Sequence, residues 1–419
     1  MKTTARLKAS ALVYTLMICT LAGVLVASLL MLFSYNRIGF DDLYFRELAV
    51  DNVDSGIKAV LYGAGDRFGE RAERLFESEV DSVYARGEVW GMYGVLRVTG
   101  VHGPARRTRT VLFGAVPERA FAAALYVEDR NRPVTLAGKT RLEGLLYLPE
   151  AGLKRGFVGR EGFAGEKLYR GEKRLSRGMR TGLDYKDLEG TRKMLERVAA
   201  GMGPAGRDIR SGDSLKGDWG GGTEYLGAGE RVYLNDVKLS GKIVVTADEI
   251  WVGAQARLDM VQLYGRRIYF EDGFRGRVQA FATDTLQVGA ACTFGYPSVL
   301  CVGNSENAGY LELGMESVLE GAVVNDAGLV RGVRKGKGLT RIQEKAEVFG
   351  NVVVPERLDI QGTVHGNVMT GKFTLQTPAS VYENHLLNAV ITSEGLSATY
   401  GMPLLQENPA DYVLIDELE

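Results

Sequence analysis

The sequence predicts a mainly β protein: an N-terminal transmembrane helix, a small α+β head, then a parallel β-helix with an insertion. Three observations carry this. Residues Ala11–Phe33 form an uncharged apolar stretch, short strand-like runs ending at glycine recur beyond residue 130, and the chain holds 54 glycines in 419 residues. That glycine share is about 13%, against about 7% in average usage, and fits tight turns and close backbone passes better than a helical bundle. The 51 Lys+Arg against 52 Asp+Glu leave a formal charge of -1, which argues against a general polyanion-binding surface while allowing local patches.

The apolar stretch comes first. At 1.5 Å rise per residue, Ala11–Phe33 gives about 34 Å of helix, enough for a hydrocarbon core of roughly 30 Å. Lys2, Arg6 and Lys8 precede it, whereas Arg37, Asp41 and Asp42 follow it, so the N-terminus is expected in the cytoplasm and the bulk outside. A cleaved signal peptide is the competing reading, but the run is longer than a usual signal core and leads into Ser34-Tyr35-Asn36-Arg37. Residues 1–33 are thus assigned to a cytoplasmic tail and anchor of a single-pass inner-membrane protein.

Residues 34–129 are expected to form a helical stem and a small α+β domain. Ile38, Leu43, Leu48, Val53, Ile57 and Val60 recur mostly at helical spacing, with a stop near Gly63 and Gly65. That stripe suits either a partner or the chain's own domain. Phe68, Ala72, Leu75, Phe76 and Val80 suggest a second helix over Arg67–Val80. Stretches at Val89–Val98, Thr108–Phe113 and Phe121–Val127 suggest a meander, with His102 in an exposed turn.

The first sixty residues carry a resemblance. Lys8-Ala9-Ser10-Ala11-Leu12-Val13, the apolar helix, and Arg46 to Ile57 resemble the N-terminal segment of minor pilins of the PilX or general-secretion K type. The resemblance implies a pilin-like anchor leading into an extracytoplasmic head. The sequence departs from the prepilin pattern: Lys8 stands where a glycine precedes the cut, and Val13 where mature position five is glutamate.

The β region is expected to begin over 130–151, to be interrupted by a basic and Gly-rich insertion over 152–228, and to continue as a parallel β-helix over 229–390, with a tail or cap over 391–419. Phe349-Gly350-Asn351-Val352 and His365-Gly366-Asn367-Val368 repeat at a spacing of 16. Strand runs such as Ile250–Gly253, Leu286–Gly289, Leu300–Gly303 and Leu311–Gly314 leave no room for crossover helices. Stacked coils would bury one continuous core with glycines at corners; a β-sandwich or barrel is the rival. Residues 341–375 resemble bactofilin and other polymer-forming β-helix proteins, which implies a structural role. Within the insertion, Lys154–Arg180 holds nine basic residues against Glu161, Glu166 and Glu172, and Leu188–Ala200 shows a short helical pattern.

Site chemistry is sparse. Three histidines and three cysteines give little for zinc or an imidazole relay, and Gly332–Gly338 lacks the phosphate-loop pattern. Asp248, Asp259, Glu271, Asp272 and Arg275 supply the residue types of a glycan lyase or hydrolase, and Tyr264, Tyr269, Phe270, Phe274, Phe281 and Phe294 those of an aromatic platform. No catalytic, cofactor or metal residues are assigned, and no nucleic-acid partner is expected. Cys292 and Cys301 are candidates for a disulfide after export. The reading is a non-enzymatic structural component of a pilus-like or secretion-like envelope assembly, periplasmic or extracytoplasmic, partnered by the membrane and by other assembly proteins or itself. A β-helical glycan-active enzyme or glycan-binding adhesin is the alternative.

Overall fold

The computed structural model describes residues 9–63, 67–74, 80–178, 183–204, 206–227, 229–303, 309–329, 338–397, 399–407 and 409–418. Lys2, Arg6, Lys8, Gly65, Leu75, Phe76 and most of Gly332–Gly338 lie outside the described residues. The chain divides into two compact units.

The first unit comprises residues 1–60, 70–85 and 98–109. It is dominated by one uninterrupted helix, α1 (Ala9–Tyr62), whose 54 residues extend about 80 Å. Its apolar stretch is fully exposed, from Leu12 at 77% to Phe33 at 68%, and is long and apolar enough to cross a membrane. Exposure continues through Ile38 and Leu43, and burial begins further on, at Ala49, Val53, Ile57 and Val60. The expected stripe therefore divides: its far part packs on the chain's own strands, where Gly56 approaches Val83 and Val98. Asn52 locks the packing, its Nδ2 donating to Asp81 Oδ1 at 2.7 Å and to the Val101 carbonyl at 2.8 Å. His102 corrects the expectation of an exposed turn residue, since it ends a strand with its ring half-buried and Nδ1 2.6 Å from Asp81 Oδ1.

Strands β1 (Gly69–Arg74), β2 (Asp81–Trp90), β3 (Tyr93–His102) and β4 (Ala105–Ala115) form a sheet in that order, completed by Tyr412–Leu418 beside β4. The expected helix over Arg67–Val80 is corrected to strand β1: the three-to-four-residue apolar spacing is overridden by pairing with β2. Val89–Val98 is two strands joined by a turn at Gly91–Met92. The C-terminus is a strand, Tyr412–Leu418 running antiparallel to Thr110–Ala115.

The second unit comprises residues 61–69, 86–97 and 110–419, and its bulk is a stack of parallel coils. From Arg231 to Val288 most register partners are 18 residues apart, so that Val232, Ile250, Ile268 and Leu286 stack in the interior. The 16-residue repeat is likewise a direct neighbour relation: Phe349, Gly350, Asn351 and Val352 pair with His365, Gly366, Asn367 and Val368. Glycine serves these coils differently from the expected corners. The left-handed corner position is taken by Asp236, Gly273, Ala291, Glu316 and Lys345, while Gly321, Gly350 and Gly366 stack in mid-strand at φ near +140° to +145°.

The stack does not follow chain order. Leu125–Val127 pairs with Val368–Thr370 and Leu142 with Ile391, so residues 125–175 extend the stack beyond its last C-terminal coil. Leu125–Val127 accordingly leaves the expected meander for the β-helix. The insertion is also shorter than 152–228: Lys173–Leu175 pairs with Leu146–Leu148, and Ser214–Gly217 with Lys238–Gly241. Between them, α2 (Glu189–Ala199) buries Thr191, Leu195 and Val198 and packs on the strands Arg257–Phe270 and Arg275–Val288. The core runs through the coils as aliphatic columns with Phe270, Phe274 and Phe294 among them. Antiparallel pairs depart from the parallel pattern at Thr374–Gln376 against Val381–Glu383 and at Phe157–Val158 against Glu161–Gly162.

Candidate functional site

Parallel stacking places equivalent residues of successive coils side by side, so outward positions form columns. On one outer face Arg231, Glu249 and Arg267 are register partners, as are Tyr233, Trp251 and Tyr269. Arg231 Nε donates to Glu249 Oε2 at 2.7 Å, and Arg267 bonds the other carboxylate oxygen. The hydrogen bond from Arg231 holds the Glu249 carboxyl below its ordinary range. Beside this ion ladder the Trp251 and Tyr269 rings stack at 4.3 Å. Their faces are spent on each other, so they stiffen the coil more than they offer a platform.

The same column continues as Gln287, Glu312, Arg341 and Asp359. Glu312 receives hydrogen bonds from Tyr310, at 2.7 Å, and Gln343. Burial pushes the Tyr310 hydroxyl up to about 12, and it also raises the Asp359 carboxyl despite Arg341 at 3.4 Å. These carboxylates are consumed by side-chain partners within the ladder.

A separate cleft of about 360 Å³ is lined by Phe121, Tyr126, Tyr147, Arg174, Leu175 and Gln406. The Tyr126 and Tyr147 rings pack 5.4 Å apart, and Gln406 accepts from the Glu118 amide through Oε1 while its buried Nε2 lacks a hydrogen-bond partner. Among the described residues that line it, no nucleophile and base are in hydrogen-bonding contact.

The carboxylates that supply the residue types of the enzymatic alternative are spread around the coil. Asp248 pairs with Arg266 near one corner, Asp259 with Arg277 on a different face, and Glu271 and Asp272 occupy the turn at another corner. Asp272 is bonded to the Ala290 amide at 2.7 Å, and Arg275 is exposed. Among the described residues no group of His, Cys, Asp or Glu forms a metal site. The aromatic candidates also disperse. Phe270, Phe274 and Phe294 are interior, Tyr264 and Phe281 stack at 4.7 Å and are fully buried, and only Tyr269 reaches the surface. Trp251 and Tyr233 were not among those candidates, although the spacing of 18 through Tyr233, Trp251, Tyr269 and Gln287 was available in the sequence.

Cys292 and Cys301 are both free and buried. Cys292 belongs to the interior cluster, as do Leu300 and Val302. Strand alternation then sends Cys301 to the opposite side of the coil wall, so the two candidates for a disulfide are free thiols here. Burial raises both thiols above the ordinary cysteine range. Cys19 lies exposed on α1.

No family model, curated protein or solved structure matches the chain.

Proposed function

We propose that this chain is a non-enzymatic structural component of a pilus-like or secretion-like cell-envelope assembly, held in the inner membrane by α1. Its N-terminus lies in the cytoplasm and its β-helix is extracytoplasmic. The observation that carries the reading is the division of α1: an exposed apolar half able to span a bilayer is continuous with a half packed on the chain's own strands. A rigid rod joining membrane to sheet suits mechanical anchoring, and the dispersed carboxylates supply no convergent reaction centre. Between the two halves, Tyr35, Ile38, Phe40 and Leu43 remain exposed at 63% or more, offering an apolar helix surface to another anchored subunit. The pilin resemblance of the first sixty residues agrees with such helix association.

The test places a photo-crosslinking residue at Ile38 or Phe40 in the native membrane and identifies adducts by mass spectrometry. Defined adducts with an envelope protein or a second copy are expected. Uncross-linked monomer from both positions, with cross-linking from a membrane control intact, overturns the assembly role.

A further inference from the structure

We propose that one outer face of the first coils is a binding site for a linear acidic polysaccharide. Lys238 and Arg257 are register partners. Arg275 continues the column, because it stands two residues before Arg277, the partner of Asp259, as Arg257 stands two before Asp259. All three side chains are exposed, and Val237, Leu239 and Leu258 beside them point into the core. Like charges on adjacent coils, about 4.8 Å apart, repel one another.

At several other places this stack alternates its signs, although Arg357 and Lys372 are also register partners. Arg231–Glu249–Arg267, Asp248–Arg266, Glu312–Arg341–Asp359 and Glu316–Lys345 each place opposite charges on neighbouring coils. Lys238, Arg257 and Arg275 have no carboxylate partner among the described residues. Asp259, which with Arg277 also lines this face, and Asp416 are both taken by Arg277, whose Nη2 lies 3.1 Å from Asp259 Oδ2 and whose Nη1 lies 2.7 Å from Asp416 Oδ2. The column then loses its charge, continuing as Thr293 and Val318 before Glu347.

The cations border a groove of about 370 Å³ that also takes in Ser214, Ser240 and Lys216. Cations repeated once per coil along one line, with hydroxyls alongside, match a chain of regularly spaced carboxylates joined by hydroxyl-bearing rings. A planar lipid surface calls instead for charges spread in two dimensions with apolar residues among them. The site stands independently of the anchoring role and of the compartment.

The test uses the full chain in phosphatidylcholine nanodiscs, immobilised and exposed to polygalacturonate, to its fully methyl-esterified form, and to vesicles containing phosphatidylglycerol. Binding to polygalacturonate that weakens with added salt is expected, with none to the ester. The triple variant Lys238→Glu, Arg257→Glu, Arg275→Glu should raise the Kd about tenfold or more. The matched variant Lys154→Glu, Arg160→Glu, Lys167→Glu should leave it unchanged. Equal loss in both variants, or preference for the vesicles, overturns the proposal. A readout free of ligand accompanies it: Arg257→Ser should raise the melting temperature at low salt and lose that gain at high salt. A decrease at low salt shows that the column is not under repulsion and likewise overturns the proposal.

Discussion

Gly350 gives the sharpest test of the stacked architecture. Its φ is +145°, and a Cβ built there meets the Gly321 carbonyl oxygen of the preceding coil at 1.9 Å and the Tyr400 hydroxyl at 2.6 Å. Gly350→Ala therefore imposes two costs. The backbone conformation costs about 1–3 kcal/mol for a residue with a side chain, and forcing coils apart in a packed wall costs about 1–3 kcal/mol more. The sum, about 2–6 kcal/mol, is a large part of the roughly 5–15 kcal/mol that holds a folded protein together. Gly273 supplies the control. Its φ is +78° with nothing within 4 Å of the added carbon, so Gly273→Ala carries only the backbone cost, about 1–2 kcal/mol. The assay is urea unfolding of the full chain in detergent, followed by far-ultraviolet circular dichroism. With a slope of about 3 kcal/mol per molar, a loss of about 3 kcal/mol moves the midpoint down by about 1 M. Midpoints for the two variants that agree within about 0.2 M would refute the close approach of successive coils.

Three further outcomes are expected. Cysteines introduced one at a time after residue 34 should react with an impermeant maleimide from the extracytoplasmic side of intact cells, and reaction only after lysis would reverse the topology. Non-reducing peptide mapping should recover the Cys292 and Cys301 peptides separately, whereas a linked peptide would contradict their placement on opposite sides of the wall. Glu249 has a carboxyl held down by Arg231, so its contribution is present above the ordinary glutamate range and lost as pH falls through the lower folded value. Glu249→Gln should therefore flatten the acid limb of the stability curve, and an unchanged limb would show that the ladder adds nothing.

How legible this molecule is depends on how local each signal is. The long apolar helix needs only an unbroken apolar run, and the coils need only short strands closed by turns, so both stand out in the sequence. The 18-residue register was equally present from Arg231 to Val288, but longer coils follow: Thr293 pairs with Val318 and Val318 with Glu347, spacings of 25 and 29 that hide the period. Strand β1 misled for a different reason. Phe68 and Ala72 sit at helical spacing, yet Gly69–Arg74 is held as a strand by its place in the sheet, which outranks local pattern. The return of residues 125–175 to the far end of the stack leaves no mark at all, because an aliphatic strand reads the same whichever coil it joins. The residue types named for the enzymatic alternative spread for a geometric reason: an 18-residue coil has several faces, so Asp248, Glu271 and Asp272 go to different ones, while Asp259 and Arg275 share one groove.

That return also bears on how such a protein could associate. A parallel β-helix left open at either end presents an apolar interior and unpaired strand edges to a second copy. Here apolar side chains of the chain itself pack on the interior near each end. Phe163, Leu168 and Tyr169 pack on the core at the end built from residues 125–175, and Ile209 and Leu215 do so at the other. The strands at the first end, Leu153–Arg155 and Lys173–Leu175, carry Lys154, Arg155, Lys173 and Arg174. Cations on edge strands oppose pairing with another chain, since stacking would bury them against their own kind. This gives the basic run from Lys154 a physical role that needs no acidic partner. It also weighs against growth by end-to-end stacking at that end, the route that the resemblance to polymer-forming β-helices implies. The proposed association within an envelope assembly would then use the exposed stretch of α1 around Ile38 and the outer faces of the coils.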